Sequence, residues 1–281
     1  HFKNRIMIRL YARIRIHVFL YMMHTRGIGM KKIFVLALTF LILISQKTQV
    51  EAESVVPLKE SEIKSNAYIL VDRDGFKILD EKNSHEIIHP ASLTKVLTTI
   101  TALEMLEDID LQNTYYTLEE EIFTDLDPIA AMAGFEPYEK RSLADIFYGI
   151  MMPSGADATR ALSMYLTKTP EGLSHYMNEK AQEIGMKNSH FINTSGLDHP
   201  KHVSTVYDLA LLVDYALNNP TFQKIYGTRN YLASKSINHP DGIEFHNRPL
   251  LYADKVIQGD FQMRGAKAGY TKLAGLSLSS W

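Results

Sequence analysis

The 281-residue chain contains no cysteine. Disulfides, thiol catalysis and cysteine-ligated zinc are therefore excluded. A chain without thiols is also at ease in an oxidising or extracellular setting. It carries no Gly-rich phosphate loop, no dinucleotide fingerprint, no internal repeat and no low-complexity segment. Basic charge is scarce in the larger part. The whole chain is −2, but residues 53–281 hold 21 Lys/Arg against 31 Asp/Glu, a balance of −10. An acidic domain of that kind is a poor nucleic-acid binder, so no nucleic-acid partner is expected.

The basic residues gather at the start. Residues 1–29 begin with His1 and carry six Lys/Arg and no acid. Met30 then opens a different pattern: Lys31 and Lys32, a mostly apolar run of twelve over 33–44, and a small-x-small end at Val50-Glu51-Ala52. This reads as a signal peptide over 30–52, since a helical span needs about 20 apolar residues. An uncleaved anchor is the alternative. Residues 1–29 read as translated upstream sequence, and 53–281 as the working domain, exported and extracytoplasmic. That length supports one large domain or two small ones with a real core.

Along 53–281, Ala67–Asp72 and Phe76–Leu79 flank Asp74-Gly75 and predict a β-hairpin. Residues 108–120 and 127–141 read as loop. Ser142 with Asp145 predicts a capping box ahead of Leu143, Ile146, Phe147 and Ile150. Pro153-Ser154-Gly155 interrupts that helix, which resumes over Asp157–Leu166. Further helices are expected from about Glu171 to Ile184, closed by Gly185, and from Val206 to Leu217, closed by Asn218-Asn219-Pro220. After Pro220 the pattern turns to strands: 231–237 and 243–247 around Pro240-Asp241-Gly242, then 262–271 and 276–281. Strands open and close the domain, with helices between. The fold class is α/β (α+β), with an antiparallel sheet whose two halves pair across the sequence and helices packed on it. The last strand ends at Trp281 with an uncovered edge, so the domain is expected to be cut short there.

The stretch that organises the rest is His89-Pro90-Ala91-Ser92-Leu93-Thr94-Lys95. Pro90 is read as holding Ala91 extended, so that a helix begins at about Ser92, with Leu93, Val96, Leu97, Ile100 and Leu103 as its buried stripe. Residues three apart share a helix face, so the Lys95 amine can reach the Ser92 hydroxyl. Burial that keeps the amine neutral would let it take the serine's proton. Taken alone, Ser-x-x-Lys ordinarily marks a cap and a solvated lysine. Two later segments change its weight. Ser154-Gly155-Ala156-Asp157 lies at a break between helices. Lys267-Ala268-Gly269-Tyr270 lies on a strand, where alternation puts Lys267 and Gly269 on one face. A small residue at Gly269 would let a substrate approach the backbone.

With these segments in order, the chain resembles the low-molecular-weight penicillin-binding proteins, the serine-type D-alanyl-D-alanine carboxypeptidases of S11-like peptidases. Their motif order is Ser-x-x-Lys, Ser-x-Asn, Lys-Thr-Gly. The matching positions are Ser92/Lys95, Ser154 and Lys267. The segments HPASLTKVLT, SLADIFYGIMMPSGADA, HFINTSGL and KAGYTKLAGLSL carry the likeness, which runs over about 55–281. The resemblance implies a DD-peptidase/β-lactamase-like fold with a helical subdomain and no cofactor or metal. It implies Ser92 as nucleophile, Lys95 as its base and Ser154 as proton relay. Lys267, Gly269 and Tyr270 would bind substrate, with the backbone N–H groups of Ser92 and Tyr270 as an oxyanion hole. The expected partners are a peptidoglycan stem peptide ending in D-Ala-D-Ala and β-lactam antibiotics. Membrane association through a C-terminal anchor and a carboxylate-binding arginine are expected beyond Trp281.

Two departures stand out. Ala156 replaces the family's asparagine and Ala268 its threonine. Each removes a hydrogen-bonding group, and a lost bond to a charged group costs about 1.5–3 kcal/mol. Hence the alternative of a weakened or non-catalytic wall-binding relative. A class A β-lactamase is disfavoured by the lack of Glu-x-x-Leu-Asn over 170–200. A zinc peptidase is disfavoured by the lack of its His/Asp/Glu/His spacing. His199 and His202, with Asp198, are the one place weighed for a metal. Asn193, Ser195, His202 and Ser204 read as groove-lining polar residues without a role, and Asn247 as structural.

Overall fold

A computed structural model describes residues 63–257 and 259–281. The upstream extension and signal peptide read over 1–52 lie outside the described residues. The described residues fall in a single compact unit. In chain order they form β1 (Tyr68–Asp72), β2 (Lys77–Lys82), a 3-10 turn (Ala91–Leu93), α1 (Thr94–Met105), β3 (Tyr115–Thr117), β4 (Lys140–Ser142), α2 (Leu143–Met151), α3 (Ala156–Thr167), α4 (Leu173–Ile184), α5 (Val206–Ala216), α6 (Pro220–Gly227), β5 (Asn230–Ala233), β6 (Ile243–His246), α7 (Arg248–Val256), β7 (Ala266–Thr271) and β8 (Gly275–Ser280). No helix among the described residues is long and apolar enough to cross a membrane.

Helices α1 and α2 form the centre. The expected stripe of α1 is buried, Leu97 and Ile100 completely, but Thr94, Thr98, Thr99 and Thr101 are buried as well. The helix is enclosed on every side rather than lying on a surface. In α2 every residue is buried. Its capping box forms as the sequence predicts: Ser142 Oγ accepts from the Asp145 N–H at 3.0 Å, and the Asp145 carboxylate accepts from the Ser142 N–H at 3.3 Å. Side chains from α4, α5 and α6 complete the core through Leu173, Met177, Leu212 and Phe222.

Several expectations are corrected. The strands pair antiparallel only as β1–β2, β3–β4, β5–β6 and β7–β8. The expected pairing of the sheet's two halves across the sequence is absent from the described ladders. The first and last hairpins approach instead through Arg73, whose guanidinium lies over the Trp281 ring at 5.9 Å. The 108–120 segment contains β3, three residues paired with β4, too short to show a period of two. Pro220 starts a helix rather than ending one. It stands at the first position of α6, and Asn219 caps it by accepting from the Phe222 N–H at 3.0 Å. In the same way Asn247 caps α7, which the strand reading omitted.

Candidate active site

The 3-10 turn under Ser92 is unusual backbone. Ala91 has φ +48°, the left-handed region, while Pro90 is right-handed at φ −74°. A proline restricts the residue before it, here His89, so it never held Ala91 extended. A non-glycine residue in this region costs on the order of 1–3 kcal/mol and persists only where its surroundings enforce it. Two glycines do so. A Cβ on Gly196, itself at φ +87°, would stand 1.9 Å from the Ala91 carbonyl oxygen. A Cβ on Gly269 would stand 2.8 Å from the Ser92 nitrogen and 3.1 Å from the Ala91 Cβ. Backbone from two sides therefore presses on the turn, and no side chain fits between. Gly269 serves the close approach of the serine's own backbone.

Helix α1 starts after Ser92, and no side chain caps it. The bland reading of Ser92 as a cap therefore fails. One turn on, Lys95 is buried at 2% exposure. Its Nζ lies 3.3 Å from Ser92 Oγ and donates to the Ser195 carbonyl at 2.5 Å. Burial pulls its pKa from 10.5 down to about 7, against the pull of the Asp157 and Glu171 carboxylates. Near neutral pH the amine is thus free for part of the time, and its lone pair can take the hydroxyl proton.

Ser154 and Lys267 form a second pair. Ser154 also has positive φ, +69°, and turns into the break between α2 and α3. The N-cap of α3 is Gly155 with no side-chain capping bond, so Ser154 is not a cap either. Lys267 is buried at 3% exposure. Its Nζ donates to Ser154 Oγ at 2.9 Å and to the Ala268 carbonyl at 2.8 Å. Its pKa lies well below the ordinary lysine value, first through burial and then through the charge of Lys95. The effect of Lys95 on Lys267 and the close approach of Gly269 to the Ser92 nitrogen place the two pairs in one neighbourhood. Tyr270 stands apart, its side chain 68% exposed. Only its backbone follows Gly269 into the site.

Neighbouring groups hold these residues. Asn247 Nδ2 donates to the Ala266 carbonyl at 3.1 Å, fixing β7 just before Lys267. The Asp157 carboxylate accepts from the N–H groups of Ala133, Gly134 and Phe135 at 2.8, 3.0 and 3.1 Å. It pins the 133–135 loop beside Ser154, and its charge is the larger of the two carboxylate charges acting on Lys95. Thr271 Oγ1 accepts from the Ala274 N–H at 3.1 Å, so it serves the β7–β8 turn and does not replace the missing threonine. His202 is a structural ring. Its Nδ1 accepts from the Ile192 N–H at 3.1 Å, its Nε2 meets Thr94 Oγ1 at 2.8 Å, and burial lowers its pKa to about 4. Neither ring nitrogen is left to hold a metal.

Sequence reasoning missed the Ser195 carbonyl, the Asn193 side chain that accepts from the N–H groups of Ser195 and Gly196 at 3.2 and 2.7 Å, and Gly196 itself. The available signal was the Asn-Thr-Ser-Gly run, whose glycine marks a turn. A base held by a backbone carbonyl leaves no side-chain signature.

Comparison with known proteins places the chain in a family. A family model for D-alanyl-D-alanine carboxypeptidases, the S11 peptidases, matches residues 51–280. The chain is 30% identical to the D-alanyl-D-alanine carboxypeptidase DacF of Bacillus subtilis, over 75% of this chain and 52% of that protein. It is 30% identical to DacA of Haemophilus influenzae, over 77% of this chain and 53% of that one. The structure of penicillin binding protein 5 from Haemophilus influenzae superposes with a TM-score of 0.65 at 29% identity, covering 78% of this chain and 61% of that one. The chain spans about half the length of the curated relatives it matches.

Proposed function

The chain belongs to the D-alanyl-D-alanine carboxypeptidase family of S11 peptidases, and on that premise we propose that it is a serine D,D-carboxypeptidase acting through an acyl-enzyme. The observation that carries the proposal is the buried Lys95 amine at 3.3 Å from Ser92 Oγ with a pKa of about 7. In this reading Ser92 Oγ attacks the carbonyl carbon between two D-alanines while its proton passes to Lys95 Nζ. The negative charge on the carbonyl oxygen is met by the backbone N–H groups of Ser92 and Tyr270. The C–N bond then breaks. Ser154, hydrogen-bonded to Lys267, relays a proton to the leaving amine, and D-alanine departs. Water, deprotonated by the same base, attacks the ester and frees the serine.

The substrate is a peptidoglycan stem peptide ending in D-Ala-D-Ala. β-Lactams, whose strained amide imitates that end, acylate the same serine. The wall chemistry lies outside the cytoplasm, and the basic, apolar and small-x-small segments over 30–52 support export. The second reading, a wall-binding relative with little turnover, rests on Ala156 and Ala268 alone, and the family and the names of the relatives do not favour it.

D-alanine release from a stem-peptide mimic separates the two. The carboxypeptidase reading expects release that disappears in Ser92→Ala. No release from folded protein, or release unaffected by that substitution, contradicts it.

A further inference from the structure

Behind the Lys95 amine lies a carboxylate that the reaction above does not use. Glu171 precedes α4 and is half-buried. Its Oε2 accepts from the Thr194 backbone N–H at 2.9 Å and from Thr194 Oγ1 at 3.1 Å. The Thr194 carbonyl accepts from Thr98 Oγ1 at 2.7 Å, one turn along α1 from Lys95. The next carbonyl, that of Ser195, takes the Lys95 amine. The residue after it, Gly196, presses on Ala91. One carboxylate thus grips a three-residue segment that touches both the base and the strained turn under the nucleophile.

Glu171 also acts through its charge. Two carboxylates bear on Lys95, Asp157 from α3 first and Glu171 ahead of α4 second, and the charge of Lys95 in turn lowers the pKa values of Lys267 on β7 and of His202. His202 is neutral above about pH 4. The two carboxylates favour the ammonium form of Lys95, while burial opposes it. Asp157 is committed to backbone N–H groups of a separate loop. Of the two carboxylates, Glu171 is the one that also holds the segment receiving the amine.

Resting on the reading of Lys95 as the base, we propose that Glu171 is a positioning residue: it fixes the Lys95 amine against the Ser195 carbonyl and sets the pH at which that amine becomes free.

The test reads Lys95 directly, by pH titration of its Cε–H resonance in protein carrying 13C-labelled lysine. The signal is assigned by its loss in Lys95→Met. The unsubstituted protein titrates at about 7. Glu171→Gln keeps an acceptor for Thr194 but removes the charge, and its midpoint falls by about one pH unit. The acid limb of β-lactam acylation moves with it. Glu171→Asp, which keeps the charge but draws it back by one methylene, moves the midpoint the same way by less. It also serves if Glu171→Gln fails to fold. A folded variant whose Lys95 midpoint stays in place or rises overturns the proposal, since a purely structural role predicts slower acylation with no shift. The titration needs no turnover. A chain that no β-lactam acylates would therefore sink the carboxypeptidase reading and leave this measurement still decisive.

Discussion

The two sides of the cleft are built differently. On the α1 side, Ser92 and Lys95 are held by backbone: the Ser195 carbonyl, the close approach of Gly196 and Gly269, and the strained Ala91. On the β7 side, Ser154 and Lys267 are paired, but Ala156 and Ala268 put methyl groups where the family pattern has an asparagine, expected to bond Lys95 or a substrate amide, and a threonine, expected to bond the terminal carboxylate. The geometry around Ser92 rests on three segments, 91–95, 195–196 and 269. Recognition of a carboxylate rests on one or two side chains, and one substitution removes it without disturbing the fold. This contrast predicts a site intact for bond-making and weak for capture.

The largest effect comes from the α1 side. Ser92→Ala removes the nucleophile, and turnover falls by on the order of 10⁴-fold or more. Lys95→Met leaves the hydroxyl without a base and costs about 10²- to 10⁴-fold in acylation. Because the folded protein disfavours a proton on Lys95 while the unfolded chain binds one up to its ordinary value of 10.5, native Lys95 lowers stability fully below about pH 7, and the penalty fades as pH rises from 7 to 10.5. Lys95→Met therefore raises the melting temperature at pH 7 while abolishing acylation. A lower melting temperature would contradict the burial argument.

Next in size is the backbone. Gly196→Ala forces a Cβ to within 1.9 Å of the Ala91 oxygen, so the turn must shift. A shift approaching 1 Å at the nucleophile costs about 10²-fold, read as the acylation rate of protein still folded by circular dichroism. An unchanged rate would mean that the turn does not position Ser92. On the β7 side the sign reverses. Ala268→Thr restores a hydroxyl beside Lys267 and should raise kcat/KM for a peptide with a free terminal carboxylate by about ten- to a hundredfold. The same peptide with an amidated end should gain little. Equal gains for both would erase the contrast between the two sides.

The smallest effect is the pH response. With its pKa at about 7, Lys95 is increasingly protonated below neutrality. Acylation then falls about tenfold for each pH unit below 7 and levels off above it. A rate flat from pH 5 to 8 would exclude Lys95 as the base.

Much of this was legible in the residues and some was not, for physical reasons. The i, i+3 relation of Ser92 and Lys95, the α1 stripe and the Ser142–Asp145 box follow from helical period and capping, which are local. Lys267 and Gly269 share a face because a strand alternates. The sheet was misjudged because pairing partners are non-local. Pro220 was misjudged because a proline ends one helix and starts the next with equal ease. Ala91 was misjudged because Pro90 restricts His89 before it and not Ala91 after it; the contacts that surround Ala91 come from Gly196 and Gly269, more than a hundred residues away in the chain. Glu171 and the Ser195 carbonyl stayed invisible because their importance is a matter of what they face.

In the proposed mechanism Ser92 is a nucleophile activated by Lys95. Mass spectrometry of the protein after incubation with penicillin tests it most directly. That mechanism predicts one covalent acyl group, located on the peptide containing Ser92, present in the unsubstituted protein and absent from Lys95→Met. Folded protein that stays unmodified at high penicillin concentration, or carries the group on another residue, would contradict it.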